Sequence, residues 1–411
     1  MIRKLVFLFV STFLFFSCHQ EKAGQSLLEK AQLYHNAALT VDSHTDTPLW
    51  FVRGVYDLSQ RHDAHDHGSR VDFPRMKEGG LDAVFFAVFL GQGERTVEGN
   101  QKALARAEEI FDSVYAVVNR NPDWAEIALN PEDARRLEHK GKRAIFMGIE
   151  NGYPLGNDVS LVEHFYKRGA RYITLCHTSN NDICDSSTDS TEYNGLSTFG
   201  ESVVNEMNRL GMMVDVSHIS DSSFYDVIKI SKTPVIASHS SARAVCDHPR
   251  NLNDDMLQKL AANGGVAQVC ILSDYVKQMP ANTQRDSAQQ ALRIKYRNFD
   301  DLSDEEMKMA RKEWYGLNKT YPPNLATVQD YVDHIDHIVK VAGIDHVGIG
   351  TDFDGGGGVD GCYDASEMFN ITLELVKRGY SQEDINKIWG GNLMRVMEQV
   401  QQYANQLASS K

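Results

Sequence analysis

Six times along this chain a short apolar run of strand-like composition ends on ionisable side chains. They are His44 and Asp46 in TVDSHTD, Glu150 in IFMGIENG, His177 in YITLCH, His218 in MMVDVSH, His239 in PVIASHS and Asp352 in HVGIGTDFDGG. Amphipathic helical patterns separate the runs, so the chain reads as alternating strands and helices around a parallel sheet. When such a sheet closes into a (β/α)₈ barrel, residues at the C-terminal ends of several strands meet in one mouth. Three or more histidines with Asp and Glu in that mouth are metal-ligand chemistry, and their number points to two ions.

Eight strands are expected, at 38–42, 83–89, 143–149, 171–176, 212–216, 235–238, 266–271 and 346–350. Helical patterns fall at 100–118, 159–168, 201–210, 221–230 and 254–262, and Gly after Arg168, Leu210 and Arg378 marks helix ends. Eight such units fit a closed α/β TIM barrel better than an open doubly wound sheet. The run Gly355 to Gly358 follows a strand, but neither a GxGxxG pattern nor the GK[ST] of a phosphate loop is there. Two stretches break the rhythm. The polar segment 275–323 is a helical insertion before the eighth strand, read as a cap or a surface for a partner subunit. At the other end Ser381 starts a capped helix, and the polar tail 398–411 is expected to fray. Residues 37–397 then form one domain, preceded by a linker and N-terminal helix at 19–36.

The N-terminus reads as an export signal. Arg3 and Lys4 precede the apolar Leu5 to Phe16, too short to span a bilayer, and Ser17-Cys18 then gives way to polar residues. A lipoprotein signal over 1–18 is the expectation, with Cys18 lipidated and the protein anchored to a membrane facing the periplasm; plain secretion is the alternative. A net charge of −14 disfavours a nucleic-acid partner. The remaining cysteines, Cys176, Cys184, Cys246, Cys270 and Cys362, are odd in number and lack a CxxC pair, so at most one or two disulfides are expected.

His44 and Asp46 stand at i and i+2, on one face of an extended backbone. Glu150 follows a run too apolar to leave a carboxylate uncompensated. His218 and His239 end consecutive strands, where two imidazoles can share an ion. Five such ligands exceed one tetrahedral zinc. With His44 and Asp46 on one ion, His218 and His239 on another and Glu150 bridging, each ion has three protein ligands and an open position. A water shared between them would be deprotonated near neutral pH and attack a carbonyl. Asp352, among glycines, suits the transfer of that proton to a leaving amine. His177 suits donation to the oxygen that gains charge. Arg250 and Arg243 both follow the sixth strand, and either guanidinium could hold a substrate carboxylate. RHDAHDHGSR at 61–70 reads as a surface loop despite its three His, and His334 and His337 lack the HExxH pattern.

The motifs DSHTD, MGIENG, YITLCH, DVSH, ASHSSARAVCDHPRN, GIGTDFDG and GGNLMRV together resemble the membrane dipeptidase (renal dipeptidase) family of binuclear zinc peptidases, from about Leu39 to Met397. The resemblance implies a (β/α)₈ barrel, often dimeric, with two Zn²⁺ per chain. Its ligands fall on His44, Asp46, Glu150, His218 and His239. Its substrate-contacting histidine falls on His177, its carboxylate-binding arginine on Arg250 rather than Arg243, and its catalytic aspartate on Asp352. The implied substrates are dipeptides, with a D- or dehydro residue tolerated at the C-terminal position and β-lactams opened by some members. Two alternatives stand beside it. One is a binuclear amidohydrolase acting on N-acyl-D-amino acids or cyclic amides. That class starts with HxH and uses a carbamylated lysine, where this chain has HTD and Glu150. The other is a non-catalytic solute-binding lipoprotein.

Overall fold

Nine short parallel strands form the sheet: β1 (Val41–Thr45), β2 (Ala83–Phe89), β3 (Ala125–Ile127), β4 (Arg143–Glu150), β5 (Ala170–Thr174), β6 (Met213–Asp215), β7 (Ile236–Ala237), β8 (Val266–Val269) and β9 (Val347–Ile349). They belong to a computed structural model that describes residues 26–52, 56–299 and 302–410; the expected export signal and Cys18 lie outside them. Eight strands run β1-β2-β4-β5-β6-β7-β8-β9, and a parallel bridge from Thr45 to Phe353 joins the two ends. The result is a nearly closed (β/α)₈ barrel, as the alternation of runs required. β3 was not among the expected strands. It pairs only with the start of β4, outside the barrel path.

Strand alternation sorts the core into two layers. On β4, Ala144 and Phe146 face the barrel interior with Phe85, Tyr172, Met213 and Ile236. Ile145, Met147 and Ile149 face the outer helices. Helix Asn392–Ser409 packs Leu393, Met394, Val396, Met397 and Val400 against the interior cluster. The polar residues after Met397 therefore do not fray: they continue this helix, because Val400 still has a core position to fill.

Helices at 221–230 and 254–262 match the expected spans, and Ser381 with Asp384 forms a reciprocal capping box. The five cysteines among the described residues are all buried and free, so no disulfide forms between them. The insertion carries two helices, Thr283–Lys295 and Asp304–Thr320. The second packs onto the segment after β1. Arg311 lies over the Trp50 ring at 4.8 Å, and Lys319 pairs with Asp66 at 2.6 Å. The insertion is thus a cap on one side of the mouth.

Candidate metal centre

Inward positions on β4 run Ala144, Phe146, Gly148, Glu150, so the strand's own alternation delivers the carboxylate to the mouth. On β1 the pairing register shifts between Asp42 and Thr45. This bulge re-aims the strand and lets His44 and Asp46 point inward together. His218 and Asp352 sit just past their strands at φ +71° and +58°. Non-glycine residues rarely take that conformation, and it turns both side chains back over the mouth.

The ligand atoms converge. Glu150 Oε2 lies 3.3 Å from His44 Nε2, which lies 3.6 Å from Asp46 Oδ2. Glu150 Oε1 lies 3.1 Å from His218 Nε2 and 3.5 Å from His239 Nε2. The two oxygens of one carboxylate therefore lie nearest different candidate ligands, while His239 also groups with His44 and Glu150, and His177 with His218 and Glu150. Asp352 groups with His44 and Asp46. His177 lies closer to the ligands than donation to a substrate oxygen alone requires: its Nε2 is 3.7 Å from Glu150 Oε1, and its ring is 4.3 Å from that of His218.

Charge in this pocket is unbalanced. Burial, reinforced by Glu150, pushes Asp46 up to about 6, and burial with Asp46 pushes Asp352 well above the carboxylate range. Burial also opposes ionisation of Glu150, but His44 and His218 outweigh it and hold the group well below its ordinary value. Burial keeps His218 and His239 neutral, the form that binds metal. His44 Nε2 and Asp46 Oδ1 are buried and have no hydrogen-bond partner. Burial opposes protonation of His44, but Tyr172, Glu150 and Asp46 outweigh it and raise the group well above its ordinary value, so a proton on His44 answers the buried carboxylates where no metal is bound. The convergent set of N and O donors is one that suits Zn²⁺.

Arg250 is 3% exposed; its Nη atoms reach the Ser240 hydroxyl and the His239 carbonyl, while Nε has no partner. Arg243 is already engaged, donating to both oxygens of Asp221 at 2.8 and 2.7 Å. Geometry thus separates the two arginines that their chemistry left equal. Beside the centre a cavity of about 520 Å³ opens, lined by Phe89, Leu90, Glu94, Lys102 and Tyr153. The Phe89 ring stands edge-on to His177 at 4.9 Å and separates cavity from centre.

The other histidine-rich motifs lie away from the centre. In RHDAHDHGSR, Asp63 caps the short helix Ala64–His67. His334 accepts from the Ala242 N–H and bonds the Val276 carbonyl, and His337 pairs with Asp254. Sequence reasoning missed Tyr172 and Ser238, which touch His44 and His239 from behind, and Asp215, which holds the Ser238 hydroxyl. Their signal was a polar group inside an otherwise apolar strand.

Barrel and centre together define a metallohydrolase scaffold. The family model for membrane dipeptidase (peptidase family M19) matches residues 28–411, and the chain belongs to that family of metallopeptidases. It is 31% identical over 372 residues to the dipeptidase tcpJ of Claviceps purpurea, covering 88% of this chain and 77% of that one. It is also 31% identical over 378 residues to the dipeptidase aclJ of Aspergillus oryzae, covering 90% and 80%. Among solved structures, the probable dipeptidase PvdM of Pseudomonas aeruginosa superposes with a TM-score of 0.77 at 33% identity, over 92% of this chain and 99% of that one.

Proposed function

We propose that this dipeptidase hydrolyses dipeptides bearing a free C-terminal carboxylate, with an L-, D- or dehydro residue at that position, using two Zn²⁺ ions. The observation that carries the reading is Glu150, whose two oxygens face His44 with Asp46 on one side and His218 with His239 on the other. Zinc ions held there would polarise the scissile carbonyl and acidify the attacking water. Arg250 binds the substrate carboxylate with the N–H groups that its protein partners leave free. With cations held beside Asp46, the ionised form of Asp352 would be favoured, in which it can accept the proton of the attacking water and pass it to the leaving amine. His177, kept neutral by burial, donates an N–H to the carbonyl oxygen as charge develops.

The protein is further proposed to be exported, lipidated at Cys18 and held at a membrane facing the periplasm, on the strength of the signal-like run before that cysteine. A homodimer is proposed from the family resemblance alone.

Two measurements test the reading. Metal analysis should find close to two zinc ions per chain, and Glu150→Gln should lose more than one of them. Side-by-side assays should show turnover of an L,L- and an L,D-dipeptide, with a tripeptide and a dipeptide amide rejected. Failure on every dipeptide, with turnover of a cyclic amide or an N-acyl-D-amino acid, would replace this reading by the amidohydrolase one.

A further inference from the structure

The histidines of the centre are not equally supported from behind. Tyr172 reaches across the barrel interior from β5 to β1, and its phenol oxygen lies 2.9 Å from His44 Nδ1 and 3.2 Å from the Ser43 carbonyl. A carbonyl can only accept, so the phenol proton points to Ser43 and the phenol oxygen accepts from the Nδ1–H of His44. That tautomer leaves the His44 lone pair on Nε2, facing Asp46 and Glu150. The barrel is shaped around this contact: a Cβ on Gly148 would lie 2.1 Å from the Tyr172 ring, and Phe85 stacks on that ring at 5.6 Å.

His239 has an equivalent arrangement. The Ser238 hydroxyl donates to Asp215 Oδ2 at 2.6 Å, and Asp215 Oδ1 accepts the Ser238 and Ser217 backbone N–H groups at 2.8 and 3.0 Å. With its proton committed to Asp215, the Ser238 oxygen accepts from His239 Nδ1–H at 2.8 Å. The lone pair of His239 is again on Nε2. His218 differs, because its buried Nδ1 has no hydrogen-bond partner.

We propose that Tyr172 and the Asp215–Ser238 pair are positioning residues that preset the His44 and His239 tautomers for metal binding, whereas His218 has no such partner on its Nδ1. The inference rests on the assignment of these histidines as ligands. Outer partners of this kind orient a ligand ring and raise its basicity, and their loss weakens metal affinity about 10–100-fold.

The test uses the zinc-loaded enzyme. Tyr172→Phe and Ser238→Ala keep shape and remove one hydroxyl each. Tyr331→Phe is the control: it removes a buried phenol that donates to the Val269 carbonyl at 3.1 Å rather than bonding a candidate ligand histidine. Chelator competition should show one ion held about 10–100-fold more weakly in Tyr172→Phe and in Ser238→Ala, and no change in Tyr331→Phe. Proton NMR of the wild type should show slowly exchanging Nδ1–H signals for His44 and His239. The His44 signal should vanish in Tyr172→Phe and the His239 signal in Ser238→Ala. Zinc affinities equal to the control in both variants would overturn the proposal. Retention of both ions by His44→Ala would instead overturn the ligand assignment, which the positioning variants do not address.

Discussion

The backbone N–H of Asp352 donates to the carbonyl oxygen of His44 at 3.0 Å, joining the last barrel strand to the first at the level of the metal centre. The seam is reinforced from below. Asp42 accepts from the Thr351 backbone N–H at 2.9 Å, its hydroxyl at 2.6 Å and the His44 N–H at 3.2 Å. The bond that closes the sheet therefore also places the proposed proton carrier beside two proposed ligands. The same backbone contact thus serves both barrel closure and the geometry of the candidate site.

Asp352 is expected to act on chemistry and not on binding. Asp352→Asn should keep both zinc ions and near-normal KM, while kcat falls by roughly 10²–10⁴. Loss of an ion in this variant would make Asp352 a ligand and transfer the proton role to another group.

Gly355 should tolerate no side chain. A Cβ there would lie 2.2 Å from both Asp352 Oδ1 and Asp46 Oδ2. Gly355→Ala must displace one of these carboxylates, so activity should fall by at least about tenfold, a displacement of the order of 1 Å near the chemistry being enough for larger losses. The circular dichroism of the fold should be unchanged. An alanine variant with full activity would show that the glycine loop can move away from the centre freely.

The strand runs, the Ser381 cap and the helix-ending glycines were readable because apolar alternation and cap residues are local signals. β1 was the instructive exception. Its expected end at residue 42 stopped at the first polar residues, yet the strand continues through Asp42, Ser43 and His44, all fully buried. Polar residues in a strand usually mark its end, but here they are buried by a metal pocket and a seam. The candidate site residues stood out by the same token, as ionisable groups where a strand should stay apolar, and the structure brings them together. The supporting shell was not legible: whether Tyr172 touches His44 depends on the space left by Gly148 on the neighbouring strand and on a partner 128 residues away in sequence, and no local pattern carries a contact of that range. Nor could residue type alone separate Arg243 from Arg250, since the difference is that Asp221 already holds one of them.

Acid should weaken the fold through two histidines remote from the centre. His35 joins the Thr372 hydroxyl and the Gly79 carbonyl, and His334 joins the Ala242 N–H to the Val276 carbonyl. Burial lowers both from their ordinary value of 6.5. The unfolded chain therefore binds more protons than the folded one below about pH 6.5, and their contribution to stability is full above that pH and declines as pH falls through it. Acid also strips metal, so the informative quantity is the difference between wild type and variants. The drop in Tm from about pH 7.5 to about 5.5 should be smaller in His35→Gln and His334→Gln than in wild type. Parallel drops would show that neither imidazole titrates with unfolding.

Arg250 gives the sharpest division between alternatives, because its role and that of Arg243 can be separated in one set of assays. Amidation removes the substrate charge and would leave the buried Arg250 guanidinium facing a neutral group. The cost expected for breaking a desolvated charge pair is about 2–5 kcal/mol in kcat/KM. In Arg250→Ala the free acid should already be that much poorer, and amidation should change little further, since the partner is gone. Arg243→Ala should retain the full preference for the free acid, because its guanidinium is committed to Asp221. Equal turnover of acid and amide by the wild type would refute the clamp. A preference abolished by Arg243→Ala and kept by Arg250→Ala would move it to the other arginine, and the Asp221 pair would then have to open when substrate binds.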